Sequence, residues 1–225
     1  MIYTIDKIKQ DIRIAIDRNS SSSKLLLDED IDTLTLEQII RSKILEAVRK
    51  VEKVAPIEML ESGHPLYETN DIGDGKVDNR EQLYWDGNKA CGWVNLPDDF
   101  MRLVMFRMSD WERPVYTATA IGTDEYSKQS SRFAGIRGTT QKPVCVVAMR
   151  AWGKVLEFYG CKSQEAYVSE ALYLPEPHID EHDGVDICEQ CYTAVIYMAA
   201  ALTLISIGEN DLATQLVELS KSEIQ

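Results

Sequence analysis

The fold is decided by residues 191–207, which read CYTAVIYMAAALTLISI. In a helical projection one side of this stretch carries Val195 and Leu202, and the opposite side, with Ala194 and Met198, is apolar too. A helix that is apolar nearly all round must be buried on most of its sides. Because the unbroken apolar run is shorter than the roughly 20 residues that cross a bilayer, it predicts a core helix and no membrane span.

Amphipathic helices on both sides of this stretch in the sequence can cover it. Isoleucines three or four apart in residues 5–16 predict a first helix. Thr35 and Gln38 have the spacing of a capping box, and the apolar stripe after them continues to Pro56. Gly208 predicts the end of the core helix, and leucines then stripe a last helix.

The middle of the chain predicts strands. Four short runs rich in β-branched and aromatic residues are separated by Pro and Gly, namely 103–108, 115–121, 144–149 and 155–159. Residues 63–93 lose periodicity and predict a long loop. We therefore expect an α+β fold: a helical bundle formed by the N- and C-terminal helices, with a small antiparallel β-sheet inserted. Its parts are N-terminal helices (1–62), a β-rich insert (63–174) and C-terminal helices (175–225).

Composition restricts the partners and the compartment. The 225 residues include 37 acidic and 24 basic side chains, and the net charge of −13 opposes contact with phosphate backbones. Five cysteines are an odd number, which favours mostly buried thiols over a disulfide framework. The N-terminus lacks the basic start and apolar run of a secretory signal, so cytoplasmic synthesis is expected.

Two stretches imitate metal sites. His178, His182, Cys188 and Cys191 have the ligand types of a zinc site, but the cysteine pair borders the most apolar helix, where thiols usually act as small hydrophobes. Residues Asn70 to Glu81 partly match a calcium loop, although Ile72 stands where an oxygen ligand is needed. The plainer interpretation of both stretches is structural, so no metal ion and no cofactor is predicted.

No enzymatic motif is present. The sequence contains no GxSxG, no phosphate-binding glycine loop and no HExxH. An active site built from the many scattered carboxylates is the weakest hypothesis, so no catalytic residue is predicted. The locally basic region contains Arg132, Arg137, Lys142 and Arg150, which could face a phosphate or an acidic neighbouring subunit but have surface charge as their plainer interpretation.

Three phrases carry a family resemblance. They are Leu96-Pro97-Asp98-Asp99-Phe100-Met101-Arg102-Leu103, Leu172-Tyr173-Leu174-Pro175 and Gly208-Glu209-Asn210-Asp211-Leu212-Ala213. Together with the order of helices and strands, they make the chain similar to the head-to-tail connector (adaptor or ring) proteins of tailed bacteriophages, including those of short-tailed and crAss-like phages.

The resemblance implies a virion structural protein made in the host cytoplasm. It implies a homo-oligomeric ring, usually of twelve copies, that binds the portal protein and tail or other ring proteins, with a channel through which DNA passes without specific binding. The predicted assembly contacts are apolar residues of the C-terminal segment, namely Leu212, Leu216, Leu219 and Ile224. The competing hypothesis is a small metal-binding regulatory or interaction module that uses the histidine and cysteine cluster.

Overall fold

The computed structural model describes residues 1–19, 35–60, 63–66, 83–87, 89–133 and 135–225. The helices are α1 (Ile5–Asn19), α2 (Leu36–Glu52), α3 (Asp124–Gln129), α4 (Tyr192–Ile207) and α5 (Asn210–Ser222). The strands are β1 (Ile2–Thr4), β2 (His64–Pro65), β3 (Leu83–Trp85), β4 (Cys91–Asn95), β5 (Phe100–Met108), β6 (Thr119–Ala120), β7 (Val144–Arg150), β8 (Gly153–Tyr159), β9 (Val168–Pro175) and β10 (Gly184–Asp186). Two compact units result: a terminal unit of Met1–Glu61 with Glu176–Gln225, and a central unit of Ser62–Pro175.

Helix α4 is the core of the terminal unit. It packs against α1 and α2 from the N-terminal part of the chain and against α5 from the C-terminal part. Nine of its residues are buried, from Ala194 to Leu204. Among the described residues, the stretch Glu189–Ile207 is the one helix long and apolar enough to cross a membrane, a test that the core helix of a soluble protein also passes. Here α1, α2 and α5 cover its apolar surface.

The helix boundaries follow from local chemistry. The Thr35 side chain accepts the Gln38 backbone N–H, and the Gln38 side chain accepts that of Thr35, which confirms the predicted capping box. Gly208 ends α4 in the left-handed conformation with φ of 92°, which also confirms its predicted role. Helix α5 then starts at Asn210 and packs back on α4.

The central unit is built from two sheets. One has the strand order β2-β9-β5 and is antiparallel, and the other has the order β3-β4-β8-β7-β6. In the second sheet the pair β6 and β7 is parallel. Buried side chains from both sheets form one hydrophobic cluster, in which the rings of Phe106 and Phe158 stack 6.1 Å apart.

The predicted fold class is wrong. The described residues form a mixed α/β structure of five helices and ten strands in three sheets, and the central unit is rich in β-structure. It is not a helical bundle with a small inserted antiparallel sheet. Residues 115–121 contribute only β6 and one isolated bridge at Val115, while the predicted loop 63–93 contains β2, β3 and the start of β4. β2 pairs with β9 and β4 pairs with β8, both far away in the sequence, so the local sequence of these strands carries little β signal.

Glu52 joins two helices of the terminal unit. Its side chain, 6% exposed at the end of α2, accepts the backbone N–H of Cys188 at 2.9 Å, just before the turn that leads into α4. Burial raises the pKa of the Glu52 carboxyl, and the hydrogen bonds from Cys188 offset this only in part. The contribution of this connection to the stability of the folded chain therefore depends on pH.

Replacing Glu52 tests this electrostatic cost. The pKa of Glu52 in the folded chain lies above its ordinary value of 4.5. The contribution of protonated Glu52 to the free energy of unfolding is therefore fully present below pH 4.5 and is lost as pH rises through the folded pKa. Glu52→Gln keeps the oxygen acceptor without the charge. We expect its free energy of unfolding, relative to wild type, to increase between about pH 4 and about pH 8 in denaturant titrations.

Glu46 on the same helix is the matched control. Its hydrogen bond with Lys50 lowers the pKa of its carboxyl, so its stabilising contribution is present above 4.5 and lost as pH falls. Glu46→Gln should therefore lose stability relative to wild type as pH rises. Parallel pH dependences of the two variants would contradict this assignment.

Candidate assembly surfaces

Four side chains form an aromatic cluster on one face of the five-stranded sheet: Tyr84, Trp93, Arg150 and Trp152. Tyr84 and Trp93 face each other across β3 and β4, and their rings stack 5.6 Å apart at 8°. The guanidinium carbon of Arg150 lies 3.7 Å from the Trp93 ring centre and 5.8 Å from that of Trp152. The Trp152 indole also donates to the Asn95 side chain at 3.3 Å. These contacts restrict the side-chain conformations of the cluster.

A buried carboxylate orients the arginine of the cluster. Glu157 on β8 is 8% exposed and accepts hydrogen bonds from Arg150 at 2.8 Å and from the Tyr159 hydroxyl at 2.7 Å. Burial, together with the bond to Glu157, raises the pKa of Tyr159. A buried carboxylate requires such partners, because an uncompensated charge in the interior is costly. Glu157 therefore fixes Arg150 between the tryptophan rings.

The aromatic cluster is open to solvent at its outer edge. Trp152 is 61% exposed and Tyr84 is 45% exposed. Trp, Tyr and Arg are the residue types that dominate binding energy in protein interfaces. In the aromatic cluster, contacts among the side chains already restrict their conformations before any partner binds, which reduces the entropy cost of association. The cluster has the composition and geometry of a protein-binding surface.

The predicted basic region divides into separate features. Arg150 belongs to the aromatic cluster, and Arg132 lies 4.9 Å from the centre of the exposed Phe133 ring. Arg137 and Lys142 line a cavity of about 660 Å³ in the central unit, together with Arg113 and Lys128. The sequence interpretation missed Arg113 and Lys128. Counting charge over the whole segment 113–142, with its five basic and two acidic residues, could have found them.

The zinc candidates do not form one ligand set. His178 and His182 are exposed in the connection between β9 and β10, whereas Cys188 and Cys191 are buried. Within the described ranges, no group of three or more His, Cys, Asp and Glu residues is arranged to hold a metal ion. The calcium-like stretch Asn70 to Glu81 lies outside the described residues.

The predicted assembly contacts of the C-terminal segment differ in accessibility. Leu216 is 0% exposed and packs inside the terminal unit, so it stabilises the fold of its own chain. Leu219 is 38% exposed, and Leu212 and Ile224 are half-buried. Leu212, Leu219 and Ile224 stay predicted contacts. The sequence interpretation missed the aromatic cluster because its members come from three separate strands and a turn.

No protein family matches the chain, and no curated protein matches it either.

Removing the arginine tests whether Glu157 depends on it. Arg150→Met should lower the free energy of unfolding by about 3 kcal/mol, because it leaves the buried Glu157 carboxylate without its cation. The second change in Arg150→Met/Glu157→Gln removes the charge and should recover much of the loss. Denaturant unfolding measures both variants.

A solvent-exposed ion pair serves as the control. Lys89 pairs with Asp86 at 2.7 Å, and both side chains are more than half exposed. Lys89→Met should leave the free energy of unfolding close to that of wild type, because exposed pairs contribute little to stability. A loss for Arg150→Met no larger than that for Lys89→Met would show that Glu157 does not need the arginine.

Proposed function

We propose that this chain is a virion structural protein, a subunit of a head-to-tail connector ring that links the portal to the tail and lines the passage for DNA. The observation that carries the proposal is the exposed and ordered aromatic cluster on the central unit. Such a surface supplies binding energy to a neighbouring protein through burial of aromatic and arginine side chains. The proposed role is non-catalytic, and no residue is assigned to chemistry.

The phrases behind the resemblance give further support. In the three-stranded sheet β5 pairs with β9, so that Leu103 lies opposite Tyr173 and Phe100 lies opposite Pro175. The Phe100 and Tyr173 rings stack 5.9 Å apart, and the Tyr173 hydroxyl donates to the Asp99 carboxylate at 3.2 Å. Two phrases that are far apart in sequence thus form one structural feature.

The charge of the chain agrees with the proposal. A ring of copies that each carry −13 would repel the DNA backbone, which lets DNA pass without sticking. Under the proposal the chain belongs to the virion, in a ring of about twelve copies, with the portal and a tail or further ring protein as its partners. The proposal includes no contact with a membrane.

Reconstitution with the portal tests the proposal. The purified chain is mixed with the portal protein encoded in the same genome and imaged by electron microscopy. We expect an additional ring of density on the portal, because the exposed cluster contributes favourable binding free energy only when a neighbouring protein covers it. A chain that stays monomeric and never joins the portal would overturn the proposal.

A single substitution tests the role of the cluster in that assembly. Trp152→Ala should weaken assembly at least about 10-fold, the loss typical of a central aromatic contact. The control is Val54→Ala in the terminal unit, which truncates a side chain that is 66% exposed. Mass photometry of the mixtures measures both. Equal assembly of the two variants would show that the cluster is not a contact.

A further inference from the structure

The cavity in the central unit is lined by an excess of positive charge. Its volume is about 660 Å³, and its cationic side chains are Arg113, Lys128, Arg137 and Lys142. The one carboxylate in the lining belongs to Glu125. Arg137 also lines an adjoining cavity of about 750 Å³. We refer to the 660 Å³ space with these four cations as the basic cavity.

The four cations form no salt bridge within the part of the chain that the structure describes. Several cations elsewhere are paired: for example, Arg41 contacts Asp183 at 2.7 Å and Arg49 contacts Glu176 at 2.6 Å. With 37 acidic residues against 24 basic ones, an arginine or lysine has many possible partners. Four cations that converge on one space without a carboxylate partner therefore leave a concentrated positive field.

Local structure holds the walls of the basic cavity. The Gln129 side chain accepts the backbone N–H of Gly138 at 2.8 Å and donates to the Glu125 carbonyl at 2.8 Å. Thr139 and Lys142 exchange backbone hydrogen bonds at 3.1 and 3.0 Å. These bonds connect α3 to the loop that carries Arg137 and Lys142. The cations are thus presented by a connected framework.

The distribution of charge along the sequence identifies the occupant. Segment 113–142 carries five Lys or Arg and two Asp or Glu, whereas the remaining residues carry 19 and 35, so the segment has a charge of +3 and the rest −16. The rest of the chain repels a nucleic-acid backbone. A second copy, by contrast, brings carboxylates in large excess, and pairing them with the cations lowers the repulsion between copies.

We propose that the basic cavity binds the carboxylate-bearing surface of a second copy of this chain. The inference rests on the proposed function, since a ring needs contacts between copies, and it assigns one side of that contact. Charge pairs of this kind set the register and the partner choice of an interface. The expected interaction weakens with salt, because its charges lie at an exposed cavity.

Charge reversal tests the inference on the full chain in solution. Sedimentation at millimolar protein concentration and about 50 mM salt should give a mass above that of the 25.5 kDa monomer, and about 500 mM salt should return it towards the monomer. Arg137→Glu should weaken self-association at least about 10-fold. The control Lys53→Glu changes the charge equally at an exposed site of the terminal unit and should leave self-association unchanged.

Three results with the chain free in solution would overturn the inference. They are a monomer in low salt, an oligomer that Arg137→Glu does not weaken, and binding of a fluorescent single-stranded oligonucleotide that Arg137→Glu abolishes. The last would show that the cavity binds phosphates. If Arg137→Glu assembles on the portal like wild type, the inference fails and the proposed function stands. If copies associate through the cavity but never join the portal, the proposed function fails.

Discussion

Helix α4 has apolar side chains on every side, and its burial organises the terminal unit. A single neighbour cannot cover such a helix, so α1 and α2 pack on it from one part of the chain and α5 packs from the other. The two polar hydroxyls within this packing are satisfied, because Thr203 donates to the Ala199 carbonyl and Ser220 donates to the Ala194 carbonyl. After the central unit the chain must therefore return to the terminal unit, where α4 packs against α1 and α2.

This constraint limits which surfaces are left for partners. The apolar stripe of α5 is used to cover α4, and Leu216 is fully buried in that contact. The central unit has its own hydrophobic cluster, yet it keeps Trp152 and Tyr84 exposed in the aromatic cluster around Arg150. The buried Glu157 orients that arginine. The proposed contacts thus depend on the Glu157 carboxylate, which is itself buried.

Local patterns predicted the four helices of the terminal unit and the strands β5, β7 and β8, but not how the strands pair. Helical periodicity, the capping box at Thr35 and the glycine at 208 act within a few residues, so the sequence alone reveals them. Strand β9 gains its stability from β5, some 65 residues earlier, and nothing local in the sequence indicates that β6 and β7 pair in parallel. The same reason hid the candidate surfaces, since Tyr84, Trp93 and Arg150 meet only through strand pairing.

The central claim is that α4 is buried by helices of its own chain and that the aromatic cluster contacts the partner. Hydrogen exchange measured by mass spectrometry, on the free chain and on the chain assembled with the portal, tests it most directly. The account predicts that peptides from residues 192–207 are already protected in the free chain, and that assembly adds protection at residues 147–157. Unchanged exchange at 147–157, with new protection appearing in α4, would contradict it.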